Sequence, residues 1–133
     1  MLKVVGTLFI KDRKLLLNRP RKREIYQLIA GKMEAGETPA EAIYREASEE
    51  LCTDTLNSSL FEFLMNFEET ASSDPNLKID YYLFNYKEPL NCPLITSDEI
   101  TDFVWYDTKT TIPLSPTLEH VVNPYCIKNN LID

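Results

Sequence analysis

Glu46, Glu49 and Glu50 stand at spacings i, i+3 and i+4 in the segment Arg-Glu-Ala-Ser-Glu-Glu. On an α-helix those spacings bring three carboxylates onto one face. Like charges at i, i+4 cost a helix about 0.2–0.5 kcal/mol per pair, so something must neutralise them. Arg45 is the cation near them, and helical geometry turns it about a quarter-turn away from the acidic stripe. A hard divalent cation answers the need better. Mg²⁺ takes oxygen ligands and binds phosphate oxygens at the same time, so the pattern points to phosphate chemistry.

The wider segment, residues 31 to 53, reads GKMEAGETPAEAIYREASEELCT. Five residues separate Gly31 from Glu37, and seven more lead to Arg45-Glu46, with Ala47 in an aliphatic slot before Glu49-Glu50. This resembles the Nudix box, whose Gly, Glu and Arg-Glu-aliphatic-any-Glu-Glu-any-Gly-aliphatic positions recur at those intervals. Every charged position is present. Cys52 replaces the late Gly of the box and Thr53 the last aliphatic. Before the box, Leu28-Ile29-Ala30-Gly31 stands where MutT-like members often carry aromatic-Pro-Gly-Gly.

The resemblance implies that Glu46, Glu49 and Glu50 hold one or more Mg²⁺ ions, with Mn²⁺ as a substitute, joined by the backbone carbonyl of Ala30. Glu50 is the first choice as essential ligand, and Glu49 shares the catalytic assignment. Gly31, Glu37 and Arg45 are implied as structural members, Glu37 pairing with Arg45 to hold the loop against the helix. Glu99 lies six residues before Trp105, a spacing found in several MutT-like members, and its implied role is metal ligand or general base.

Arg19 and Tyr26, upstream of the box, are weaker substrate-binding assignments. Arg19 would meet phosphates, while Tyr26 is weighed more toward core packing than base stacking. Cys52 is expected to be a buried, inert thiol, and His120 a surface or packing residue.

The chain's 133 residues suit one domain, residues 1–133. A formal net charge of −7 argues against binding nucleic-acid polymers, which need clustered Lys and Arg, but allows free nucleotides held through a metal. The N-terminal apolar stretch is too short to span a membrane and lacks a convincing cleavage site, so export is not expected. Three cysteines without CxxC spacing and a single histidine suggest reduced thiols, no zinc site and a cytoplasmic setting. Oligomeric state stays open.

Several elements must position these residues. Val4–Ile10 and Lys14–Asn18 flank Lys11-Asp12-Arg13 as a hairpin, and Ile25–Ala30 reads as a strand leading into a Gly31 loop. Thr38 suits an N-cap, with Pro39 at the first helical position and Glu41 completing a capping box. Ala40, Ile43, Ala47 and Leu51 form the helix's apolar stripe. Phe61, Phe63, Met65 and Phe67 alternate as one strand face, as do Leu77, Ile79, Tyr81 and Leu83, with residues 71–76 as a loop between them. Phe103–Tyr106 is a further strand, and Pro116–Lys128 a final helix weakened by Pro124. This is an α/β layered domain with a mixed sheet; the resemblance implies the Nudix α/β/α sandwich.

The activity implied is hydrolysis of a nucleoside diphosphate linked to another group, foremost a nucleoside triphosphate split to monophosphate and pyrophosphate. ADP-ribose, dinucleoside polyphosphates and NADH are alternative small-molecule substrates. The Pro that ADP-ribose hydrolases tend to carry about sixteen residues past the box is Glu69 here, and the Pro-rich array of the NADH group is absent. A non-catalytic nucleotide-binding regulator and a protein-interaction module are readings of other classes. The three intact glutamates oppose the first, while the Phe61–Phe67 strand would serve the second. Residues 115–119 hold no counterpart of the Asn or Asp that reads the base in enzymes acting on oxidised guanine.

Overall fold

Apolar alternation and turn residues cut the chain into β1 (Leu2–Leu8), β2 (Ile10–Lys11), β3 (Lys14–Pro20), β4 (Gln27–Lys32), α1 (Pro39–Glu50), β5 (Phe61–Thr70), β6 (Lys78–Tyr86), β7 (Ile100–Tyr106) and α2 (Asn123–Lys128). The computed structural model describes residues 1–71 and 74–133. Ser72 and Ser73, part of the loop predicted over 71–76, lie outside the described residues. One compact unit comprises Met1–Leu8 and Ile29–Lys87, another Phe9–Leu28 and Glu88–Asp133.

In the first unit β1 pairs antiparallel with the Ile29–Lys32 part of β4 and parallel with β6, and β6 pairs antiparallel with β5. The sheet is therefore mixed and the class α/β, as the sequence predicts. Gly31 lies inside β4, in register with Val5, rather than in the loop expected there. The capping box at Thr38 and Glu41 forms in both directions, with Pro opening the helix. α1 buries Ala42, Ile43 and Ala47, and Leu51 is fully buried after it. Ala40, expected in the stripe, is exposed in the first turn of α1, and Ala42 is buried beside the other three predicted positions. Val5, Ala42, Ile43 and Phe84 form one core cluster, with Met33, Phe61 and Tyr82 packed against it. Each large side chain buried there is worth about 1.5–3 kcal/mol.

A bulge at Leu64 changes the reading of β5. Phe63 opposes Phe84 while Met65 opposes Leu83, so two steps on β5 match one on β6 and the side-chain alternation flips. Phe61 and Phe63 share one face and Met65 and Phe67 the other, where sequence alternation predicts a single face. Phe63 is left 53% exposed beside Phe84, with ring centroids 5.6 Å apart. On the partner strand, Leu77 falls outside β6 and is exposed, whereas Tyr81, Leu83, Phe84 and Tyr86 are buried.

In the second unit β2 and β3 form the predicted hairpin. The N-terminal strand predicted as continuous to Ile10 ends at Leu8. Asp12 and Arg13, with φ of 52° and 60°, supply the two left-handed residues that a tight hairpin turn requires. Arg13 is then anchored, its Nη2 donating to Asn130 Oδ1 at 2.9 Å. β3 pairs antiparallel with β7 from Leu15↔Tyr106 to Arg19↔Asp102, and with Gln27 and Leu28 of β4. β7 starts at Ile100, three residues before the predicted strand.

The final helical segment runs from Pro116 to Lys128, as predicted, and Pro124 does not break it. Proline has no N–H and clashes with the carbonyl four residues earlier, and a π-helical turn over Leu118–Val122 absorbs that mismatch. Asn130, at φ 57°, ends the segment as a left-handed cap, with the Leu131 amide donating to Cys126 O at 2.9 Å. Among the described residues no helix is long and apolar enough to cross a membrane.

Candidate active site

α1 presents its glutamates at its C-terminal end, beside β4. That end is fixed by a Schellman motif: Thr53 N–H donates to Ser48 O and Cys52 N–H to Glu49 O, with Cys52 left-handed at φ 51°. Glycine is the usual residue there because a Cβ is strained in that conformation. The predicted burial of the Cys52 thiol is wrong: the residue is exposed, since a left-handed cap turns its side chain outward.

Glu46 lies directly on β4. A Cβ at Gly31 would overlap its carboxylate, so the box glycine is required by close approach and not by an unusual φ. Glu46 Oε1 accepts a 2.8 Å bond from Arg45 Nη1. Burial pushes its carboxyl pKa up against the opposing pull of Arg45, so this carboxylate gains from any further cation brought to it.

Arg45 is the hub of the site. Its Nε and Nη2 form a fork onto Glu37 at 2.7 and 2.8 Å, its Nη2 also donates to Lys32 O at 3.0 Å, and its Nη1 reaches Glu49 Oε2 at 3.4 Å. The Glu34 amide adds a 2.7 Å bond to Glu37. Arg45, and then that amide, hold the Glu37 carboxyl down at about 2. The Glu37–Arg45 pair implied by the box is therefore present. The quarter-turn separation of Arg45 from the acidic stripe is not realised, because its long flexible stem carries the guanidinium back across Glu46 and Glu49.

Glu50 takes a different partner: the Ala30 amide donates to its Oε2 at 3.1 Å. The box resemblance implies a role for the Ala30 carbonyl; in the structure it is the Ala30 N–H that meets Glu50. The oxygen-only donor set of Glu46, Glu49 and Glu50 fits a hard divalent cation. Among the described residues no three acidic, His or Cys side chains already converge on one point. Glu49 is the most exposed of the three at 62% of its side chain, with Arg45 Nη1 3.4 Å from its Oε2.

The remaining predicted residues lie in the second unit. Glu99 is exposed in a turn where Ser97 Oγ accepts from the Glu99 and Ile100 amides at 3.3 and 3.1 Å. Arg19 and Tyr26 come together around Asp102. Arg19 is its register partner, and Tyr26 Oη donates to Asp102 Oδ2 at 2.5 Å. Tyr26 is thus tethered through its hydroxyl, and the Asp102 bond foremost pushes its pKa up. Asp102 falls outside the residues expected from the sequence, although a carboxylate inside the apolar run Ile100–Tyr106 is a signal. So does Asn123, which is nine-tenths buried and donates to Tyr106 Oη at 3.0 Å.

A model of the NUDIX domain matches residues 2–123. A search of curated protein sequences found no match. Among solved structures, the MutT protein from Methanosarcina mazei Go1 superposes with a TM-score of 0.77 at 17% identity, over 96% of this chain and 94% of that one. The E. coli ORF135 protein gives a TM-score of 0.72 at 21% identity, over 97% and 91%. A UDP-X diphosphatase gives 0.75 at 20% identity over 97% of this chain, which spans only 63% of that protein. At these identities the likeness shows the shared fold.

Proposed function

Because the chain belongs to the Nudix hydrolase family, we propose that residues 1–133 act as one Nudix domain, a metal-dependent pyrophosphohydrolase of a small nucleotide. The substrate we favour is a nucleoside triphosphate, cleaved by water to the monophosphate and pyrophosphate in a cytoplasmic setting. The observation that carries this reading is the Arg45 hub, which ties Glu37, Glu46, Glu49 and the Lys32 carbonyl into one bonded group. Such a group fixes the C-terminal half of α1 on β4 and aims its carboxylates, and a merely solvated acidic helix has no use for it.

Glu46, Glu49, Glu50 and the Ala30 carbonyl would hold Mg²⁺, or Mn²⁺ in its place. When bound, the ion would offset charge on the phosphoryl oxygens and acidify the attacking water. The protein's own contributions are distinct. Glu37 keeps Arg45 in place, and Arg45 restrains Glu46. The Ala30 amide orients Glu50, since a carboxylate with one oxygen fixed presents the other in a defined direction. Glu49, exposed at the edge of the Arg45 group, is the first candidate for a group that moves a proton; Glu99 is the second. Arg19 would meet substrate phosphate, with Tyr26 beside it.

The test is an assay of pyrophosphate and orthophosphate release over a panel of nucleotides, with Mg²⁺ and with chelator. Metal-dependent pyrophosphate release is expected. Orthophosphate alone, or equal activity in chelator, would sink the reading. The alternative substrate class, a nucleoside diphosphate joined to a group other than phosphate, gives a nucleoside monophosphate without pyrophosphate in the same panel.

A further inference from the structure

Tyr81 stands on β6 opposite Val4 of β1, and its side chain lies along β1 over Gly6. A Cβ at Gly6 would overlap the Tyr81 hydroxyl and stand 2.9 Å from its Cζ, so glycine at position 6 makes room for the phenol. Gly6 is in turn the register partner of Ala30 on β4, whose amide binds Glu50. Phe67 covers the ring from β5, stacked at 5.0 Å and 13°, and Tyr81 is left 5% exposed. Glu69, two residues further along β5 and opposite Ile79, shares that side of the sheet.

Burial first, and then the charges of Glu69 and Glu50, push the phenol's pKa up. The buried hydroxyl thus stands within electrostatic reach of two carboxylates from separate elements. Phenylalanine would fill the same volume without the cost of burying a hydroxyl, about 1–3 kcal/mol where no bond compensates. The hydroxyl has a use that volume does not explain.

We infer that Tyr81 is a positioning residue for the Glu50 carboxylate, its hydroxyl laid across Gly6 toward the β4 residue that Glu50 binds. The inference rests on the hydrolase reading only in taking Glu50 as a carboxylate of the reacting site. Groups behind a ligand carboxylate orient it, and removing one typically costs about 10- to 100-fold in activity or affinity.

Tyr81→Phe keeps the ring and the Phe67 stack and removes only the oxygen. Two measurements decide: the Ala30 amide resonance and its exchange protection in the metal-free protein, and kcat and KM for the nucleotide turned over. The resonance is assigned by its response to Glu50→Gln. The expected result is a shifted, less protected Ala30 amide with kcat down about tenfold or more and KM unchanged. An unmoved Ala30 amide, or wild-type kcat in the folded variant, overturns the inference. If the wild type turns over no nucleotide, the hydrolase reading fails and the Ala30 amide alone decides. Should Tyr81→Phe not fold, Gly6→Ala displaces the hydroxyl from the opposite side. It must then move the same resonance, and an unmoved one overturns the inference equally.

Discussion

Gly31 and Glu46 are fitted to one another: the carboxylate lies where any side chain at position 31 would have to stand. The flexible part of that pair is Glu46, so a methyl group at 31 would push the carboxylate aside and leave the β4 backbone in place. Gly31→Ala is therefore expected to cost little stability, about 1 kcal/mol at the low end of overpacking. The displaced Glu46 also leaves Arg45 Nη1, so turnover should fall far more than stability. Melting temperature and kcat of the same variant check this; wild-type kcat would show that Glu46 does not need its seat on β4.

Cys52 carries left-handed strain at φ 51° in an exposed cap. Replacing it with glycine relieves roughly 1 kcal/mol without opening a cavity, since the side chain faces solvent. Cys52→Gly should raise the melting temperature by a few degrees, about 2–8 °C per kcal/mol for domains near this size. A lowered value in a calorimetric scan would mean that the thiol makes a contribution larger than the strain.

Glu37 gives a pH signature. Its folded carboxyl is held at about 2, against an ordinary value of 4.5. A depressed folded pKa gives stability that is fully present above about 4.5 and is lost as pH falls toward about 2. Glu37→Gln removes that contribution, so the gap between wild type and variant should narrow as pH drops through this window. Glu41 is shifted the same way by its capping box and leaves some acid sensitivity in both proteins. Urea denaturation at several pH values measures the gap, and a constant gap would contradict the assigned pairing.

What the sequence disclosed, and what it hid, divides along local against non-local causes. The capping box from Thr38 to Glu41, the Asp12-Arg13 turn and the box spacings are set within a few residues, and each was legible. The Leu64 bulge was not, because it exists only in the pairing of β5 with β6. The meeting of Tyr81 with Gly6 likewise depends on the β1–β6 register, which no window on either strand contains. The place of Arg45 is hidden for another reason: helical spacing fixes the direction of its Cβ but not the reach of its side chain. Asp102 and Tyr26 lie 76 residues apart in the chain, and they become neighbours only because β3 pairs both with β7 and with β4, the strand that Tyr26 precedes.

Glu50 and Glu99 are separated by a paired substitution. Glu50→Gln keeps the size of the side chain and one carbonyl oxygen for the Ala30 amide, so the fold should stay intact while the charge needed for a divalent cation disappears. The expected result is a loss of turnover of about 100-fold or more, with an unchanged melting temperature. Magnitudes of that order follow when a group acting mainly in the transition state is removed. Glu99 is exposed and its turn is held by Ser97 Oγ through backbone amides, so Glu99→Gln cannot disturb that turn through its side chain. Any loss of turnover then reports the carboxylate itself. Both variants are to be compared at saturating substrate across a Mg²⁺ titration. A lowered plateau for Glu99→Gln places its carboxylate in the reaction, and a rightward shift of the titration makes it a ligand. Wild-type plateau and metal dependence, beside an inactive Glu50→Gln, would confine the chemistry to the α1 glutamates and remove Glu99 from it.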